Sequence, residues 1–132
     1  MKVLLDTHVW WWWVTGEHGS SPAQKRILAR ASPAEPMLLS DISLWEVATL
    51  VSLGRLALTV PLREWIENAA AAPLVQRCAV SPAVAAAVAE LPDDFHRDPA
   101  DRLIVATAQV HGATLLTKDK RILDANLVPT VR

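Results

Sequence analysis

The sequence predicts an α/β fold in which a central parallel sheet is covered by helices on both faces. Short apolar runs with strand character alternate with longer segments carrying helix start and stop signals. The connections between the runs are too long for hairpins, so neighbouring strands are joined by crossovers and lie parallel. A chain of 132 residues, 52% of them hydrophobic, is long enough to bury a core without disulfides or a structural metal. It reads as one domain spanning residues 1–132, with no internal repeat, low-complexity tail or linker.

The first strand is Lys2 to Leu5, and Asp6-Thr7 follows it as a cap for a helix beginning around His8. The loop Ser32-Pro33-Ala34-Glu35-Pro36 introduces a second strand, Met37 to Leu39. Ser40-Asp41 then leads into a helix running to about Leu53 and stopping at Gly54. Pro61 opens a helix through Glu64-Trp65-Ile66 to the Ala69–Ala72 run, which Pro73 ends. Val75 to Val80 is the third strand. Ser81-Pro82 starts an Ala-rich helix to Leu91, and Asp98-Pro99 starts another that reaches His111 and is closed by Gly112. Ala113 to Thr117 is a buried strand, Lys118 to Ala125 a short helix and Val128 to Val131 a final strand.

Composition narrows the function. Cys78 is the only cysteine, which excludes an intrachain disulfide and leaves a thiolate zinc site without its second ligand. The apolar start of MKVLLD is too short for a signal-peptide core, and no apolar stretch approaches a membrane span. A soluble, cytoplasmic protein is expected. The net charge of −1 and pI near 6.4 give no global attraction for nucleic acid. Arg97, Arg102, Lys118, Lys120 and Arg121 do gather in the last third, interleaved with acids, as either a solvated face or an RNA-contacting patch.

In an open parallel sheet, ligands bind beyond the carboxyl ends of the strands, where the strand order reverses. Four separate segments deliver acids to that edge. Asp6 follows the first strand, Asp119 follows Ala113–Thr117, Ser43-x-x-Glu46 lies early in the helix after the second strand, and Asp98-x-x-Asp101 forms a helical first turn. Each has a local role available to it: Ser43-x-x-Glu46 is a capping-box pattern and Asp98-Pro99 a helix start. Gathered together, however, carboxylates repel and raise one another's pKa unless protons or a cation compensate. A hard divalent ion suits an all-oxygen set and the hydrolysis of phosphodiesters. The histidines His8, His18, His96 and His111 have no metal-ligand spacing and read as surface or packing residues.

The segments MKVLLDTHVWWW, SDISLWEVATLVSLGRL and HRDPADRLIVATAQVHGATLLTKD, in this order and separation, resemble PIN-domain ribonucleases, specifically the VapC toxins of bacterial toxin–antitoxin pairs. The resemblance runs almost end to end. It implies a three-layer α/β/α fold and Mg²⁺- or Mn²⁺-dependent endonucleolytic cleavage of RNA. The family's acids fall on Asp6, Glu46, Asp101 and Asp119, with Asp98 a further metal contact, a helix cap, or both. Thr117 matches a small hydroxyl residue near the site in many relatives, where it helps hold a carboxylate or a metal-bound water, or else it is simply the end of a buried strand. Arg102 is expected to contact phosphate or to form a salt bridge orienting Asp98. The resemblance also implies a VapB-like antitoxin that wraps the early helices and covers the acids, and a homodimer.

Trp10 to Trp13 fan around roughly 300° of a helix at about 100° per residue, so they cannot all face one core. At least one is expected to be exposed for a protein partner, or else Trp12 and one neighbour pack inward while the others cover loops. Two alternatives with the same kind of sheet lack their motifs. A haloacid-dehalogenase-type phosphatase needs Asp-x-Asp where this chain has Asp6-Thr7-His8, and a receiver domain needs Lys-Pro where it has Lys118-Asp119. A non-catalytic PIN-like binding module is the remaining alternative, although such modules usually lose one or more acids.

Overall fold

Side chains that alternate between opposite faces of β1, Val3–Leu5, all three of them buried, divide the interior into two halves. Val3 and Leu5 join one buried cluster and Leu4 the other, because successive strand side chains point to opposite faces. The computed structural model describes all residues 1–132. With β2 (Met37–Ser40), β3 (Val75–Cys78), β4 (Thr114–Leu116) and β5 (Thr130–Val131), β1 forms one five-stranded sheet of order β3-β2-β1-β4-β5. Every neighbouring pair is parallel, with Leu5 in register with Leu39 on one side and Leu116 on the other. The chain builds outward from β1 to β3, then returns to the far side of β1 for β4. The order therefore reverses between β1 and β4, which opens a crevice beyond their carboxyl ends.

Helices cover both faces, as predicted. Trp10 and Trp11 of α1 (Thr7–Thr15), Leu28 of α2 (Pro22–Leu28), Val47 of α3 (Asp41–Ser52) and Ala69 of α4 (Leu62–Ala69) pack on the Leu5, Leu39 and Leu116 side. Ile104, Val105 and Ala108 of α6 (Pro99–His111) and Ile122 of α7 (Lys120–Ala125) pack on the Leu4, Leu38 and Leu115 side. The remaining helix, α5 (Pro82–Ala89), lies against α6. Each fully buried leucine contributes about 1.5–3 kcal/mol relative to exposure, so strands of two to four residues are held chiefly by the helices on them. No helix is long and apolar enough to cross a membrane.

Several local expectations need correction. The sequence reading passed over α2, whose start is nevertheless encoded: Ser21 accepts from the Gln24 amide at 3.1 Å, Gln24 Oε1 accepts from the Ser21 amide at 3.2 Å, and Pro22 holds the first position. Gln24 is fully buried, and its Nε2 donates to the carbonyls of Thr117 and Val131, which ties α2 to the ends of β4 and β5. Ser43 is not a cap. Ser40 caps α3 by accepting from the Ile42 amide, which places Ser43 inside the helix. The helix α4 stops at Ala69 rather than Ala72, and α7 starts at Lys120 because Asp119 Oδ1 accepts from the amides of Arg121 and Ile122.

The tryptophan expectation fails in both forms. Trp10 and Trp11 are the buried pair, set against Trp65 at 5.2 and 5.0 Å between ring centroids, and Trp10 Nε1 donates to the Ala69 carbonyl. Trp12 and Trp13 are half-buried. The loop after α1 folds back so tightly that a Cβ on Gly19 would lie 1.9 Å from the Trp12 indole. The exposed tryptophan is Trp45 on α3, at 57%.

Candidate functional site

The first carboxylate is positioned by strand ending and helix capping together. Asp6 leaves β1 with its amide donating to the Leu116 carbonyl, and its Oδ1 accepts from the Thr7 amide at 2.8 Å. Thr117, one residue past β4, donates its hydroxyl to Asp6 Oδ2 at 2.6 Å and accepts from the Asp119 amide at 3.0 Å. One threonine thus links both acids at the reversal point. Asp6 is buried, and burial raises its pKa above 3.8 despite these hydrogen bonds; nearby Asp119 raises it further.

Thr7 carries the network to α3. Its hydroxyl donates to Glu46 Oε1 and lies 2.8 Å from Ser43 Oγ. Since Thr7 has one proton to give, Ser43 donates to Thr7, so Ser43 acts on Glu46 through that hydroxyl. Burial, then the charges of Asp6, Asp101 and Asp98, lift Glu46 from 4.5 to about 7.

On the other side, Asp98 caps α6 by accepting from the Asp101 amide at 3.1 Å and is itself exposed. Asp101 is buried, and burial with the charges of Asp6, Asp98 and Asp119 raises it from 3.8 to about 6. A bond with His96 Nε2 at 2.7 Å from Asp101 Oδ2 acts in the opposite direction. Arg121 Nη2 lies 3.6 Å from that oxygen and 3.7 Å from Asp119 Oδ2.

All five predicted acids line one cavity of about 470 Å³, together with His8, Trp12, Arg55, Lys118 and Arg121. A hollow of about 500 Å³ on the flank shares Arg121, but its acids, Asp94 and Asp124, are exposed. Chemistry rather than volume therefore marks the site.

The donor set fits a hard divalent cation. Its donors are oxygens, and the lone cysteine, Cys78, is buried on β3 rather than among the acids. Three of the carboxylates carry raised pKa values, the signature of buried negative charge short of countercharge. Each carboxylate retains lone pairs beyond its internal hydrogen bonds. As the side chains stand, no group of three or more His, Cys, Asp or Glu is close enough together to hold a metal ion. A hard ion such as Mg²⁺, which keeps several of its waters, would be held here partly through them.

Arg102 does neither thing expected of it. It is buried, its Nη1 donates to the carbonyls of Phe95 and His96 at 3.0 and 3.3 Å, and its guanidinium carbon lies 5.9 Å from the Phe95 ring centroid. The sequence reading also missed His96, His8, Arg55 and Trp12 as neighbours of the acids. His96 carries a faint signal, standing two residues before Asp98, but its aim depends on an irregular loop. Lys118 stacks its ammonium 5.8 Å from the Trp12 ring, so the rim is basic and aromatic although the floor is acidic.

Residues 3–126 match the PIN domain family. The chain is 38% identical over 120 residues, 91% of its own length and 88% of the relative's, to Ribonuclease VapC22 of Mycobacterium tuberculosis. FitAcB from Neisseria gonorrhoeae superposes with a TM-score of 0.70 at 24% identity, over 98% of this chain and 96% of that one. VapBC2 from Rickettsia felis, in a complex with a DNA fragment from its promoter, gives 0.70 at 16% identity over 99% and 98%.

Proposed function

The chain belongs to the PIN-domain family, and on that premise we propose that it is a divalent-metal-dependent endoribonuclease, the toxin component of a VapBC-type toxin–antitoxin pair. The observation that carries this reading is the convergence of Asp6, Glu46, Asp98, Asp101 and Asp119 on one cavity at the point of strand reversal. The 38% identity with a protein named as a ribonuclease supports the same reaction here.

In this reading Asp6, Asp101 and Asp119 position one or two Mg²⁺ or Mn²⁺ ions, directly or through the ions' retained waters, and Glu46 completes the cluster directly or through water. The bound cation supplies Lewis acidity toward the phosphate and lowers the pKa of water. The chain's own residues do the rest. Thr117 and the Thr7 amide fix Asp6, and Asp98 sets the start of α6 and so the place of Asp101. Glu46, with Oε1 engaged by the Thr7 hydroxyl, has Oε2 left for the cation or one of its waters. Arg55, Lys118 and Arg121 rim the acids and offer positive charge to an RNA backbone that the acidic floor would repel.

A VapB-like antitoxin and a homodimer belong to the proposal. Solved structures with this fold include a toxin–antitoxin complex from Klebsiella pneumoniae. Trp45 and Leu53, at 57% and 61% exposure near the ends of α3, are apolar groups of the kind that protein partners cover.

The test is cleavage of total cellular RNA by the purified chain with Mg²⁺, Mn²⁺ or EDTA, beside Asp6→Asn and Asp101→Asn. Discrete metal-dependent fragments, lost in both variants while they remain folded, are expected. Full activity in either variant would overturn the assignment of these acids. Absence of cleavage by folded, antitoxin-free wild type under every metal would favour a binding module.

A further inference from the structure

We propose that His96 is a positioning residue that holds one carboxylate oxygen of Asp101 and thereby presents the other to the divalent cation, with buried Arg102 keeping His96 in place. This rests on the reading of Asp101 as a metal ligand.

The loop from Glu90 to Asp98 between α5 and α6 has no sheet or helix ladder to fix it, so its side chains need other anchors. Phe95 supplies one by inserting into the core at 5% exposure. Arg102, one turn into α6, supplies the second by donating to two successive carbonyls, those of Phe95 and His96. The His96 ring packs edge-on against Phe95 at 4.4 Å between centroids, which leaves the imidazole 15% exposed and Nε2 at 2.7 Å from Asp101 Oδ2.

Two lone pairs cannot face each other at that distance, so with Asp101 ionised Nε2 carries the proton and donates. The other nitrogen, Nδ1, is buried without a protein partner. The ring is therefore oriented by packing and by the clamped main chain, not by a second hydrogen bond. Asp101 Oδ2 receives His96 and faces Arg121, whereas Oδ1 takes part in neither contact. A carboxylate free to turn about its last side-chain bond would lose that distinction. Hydrogen bonds to a ligating group commonly change metal affinity by about 10–100-fold when removed.

The experiment titrates Mn²⁺ alone into the full chain by calorimetry, for wild type, His96→Leu, His96→Gln and Asp101→Asn, with melting in EDTA as the check on folding. RNA cleavage across a range of Mn²⁺ follows. Leucine should weaken Mn²⁺ binding about tenfold or more, and KM for RNA at saturating Mn²⁺ should stay at the wild-type value. Glutamine, whose amide nitrogen reaches the position of Nε2, should restore most of the affinity. If the leucine variant does not fold, His96→Asn takes its place, because its shorter amide cannot reach Oδ2, and the same loss is expected. Wild-type Mn²⁺ affinity in the folded leucine or asparagine variant, with binding lost in Asp101→Asn, overturns the positioning role and leaves Asp101 as a ligand. Wild-type affinity in Asp101→Asn as well overturns both.

Discussion

Replacing Glu46 by glutamine measures how much uncompensated charge the site carries. Burial and the neighbouring Asp6, Asp101 and Asp98 lift Glu46 from 4.5 to about 7, so the folded chain holds this proton more tightly than the unfolded chain. Between those two values the folded state binds more protons, and stability falls as pH rises; the contribution is full below about 4.5 and gone above about 7. At about 1.4 kcal/mol per pH unit the interval corresponds to about 3 kcal/mol. The glutamine keeps an acceptor for the Thr7 hydroxyl and never ionises. In urea denaturation with EDTA, the variant should match wild type near pH 4.5 and exceed it by about 2–3 kcal/mol at pH 8. A difference that does not change with pH, or a variant less stable than wild type at pH 8, would refute the reasoning.

Thr117→Val removes the hydroxyl that joins Asp6 to the Asp119 amide. Chemical denaturation should show a loss of about 2 kcal/mol, and calorimetry weaker Mn²⁺ binding; unchanged values in both would remove Thr117 from the site. Arg121→Ala takes away a guanidinium 3.6 and 3.7 Å from Asp101 and Asp119. Because that side chain is 60% exposed, the gain in Mn²⁺ affinity should be at most about fivefold, corresponding to about 1 kcal/mol, and should fade with added salt. Tighter binding that persists in high salt would contradict a surface-screened contact. Gly19→Ala forces a methyl into the Trp12 indole, 1.9 Å away, and should cost about 1–3 kcal/mol with a shift in tryptophan fluorescence. An unperturbed spectrum and melting point would show that the loop yields freely.

The parts of the fold that the sequence made legible are those set by local chemistry. Leu4 between Val3 and Leu5, the Asp98-Pro99 start and the Gly112 stop each encode their element within a few residues. Asp6 and Asp119 were legible because a parallel sheet dictates where its strands end. Other features depended on contacts across the chain. Ser43 and Glu46 resemble a capping box, but Ser40 takes the cap because β2 extends to it, which turns Ser43 toward Thr7, 36 positions away. The α2 start, by contrast, is encoded locally in Ser21-Pro22-x-Gln24. The burial of Trp10 and Trp11 rather than Trp12 follows from where Trp65 and the Gly19 loop lie. From sequence His96 is a surface or packing histidine and Arg102 a phosphate or Asp98 contact, because nothing local shows that Phe95 anchors their loop in the core.

The account holds that Asp6, Glu46, Asp101 and Asp119 form a cluster that binds a divalent cation. The most direct test is the change in melting temperature on adding Mn²⁺ to EDTA-treated wild type and to Asp6→Asn, each compared with its own metal-free value. At a hundredfold excess over the dissociation constant, a ligand that binds only the folded state adds about 2.7 kcal/mol. The account predicts that wild type gains stability of this order and that the asparagine variant gains little. An equal rise in both, or none in either, would contradict it.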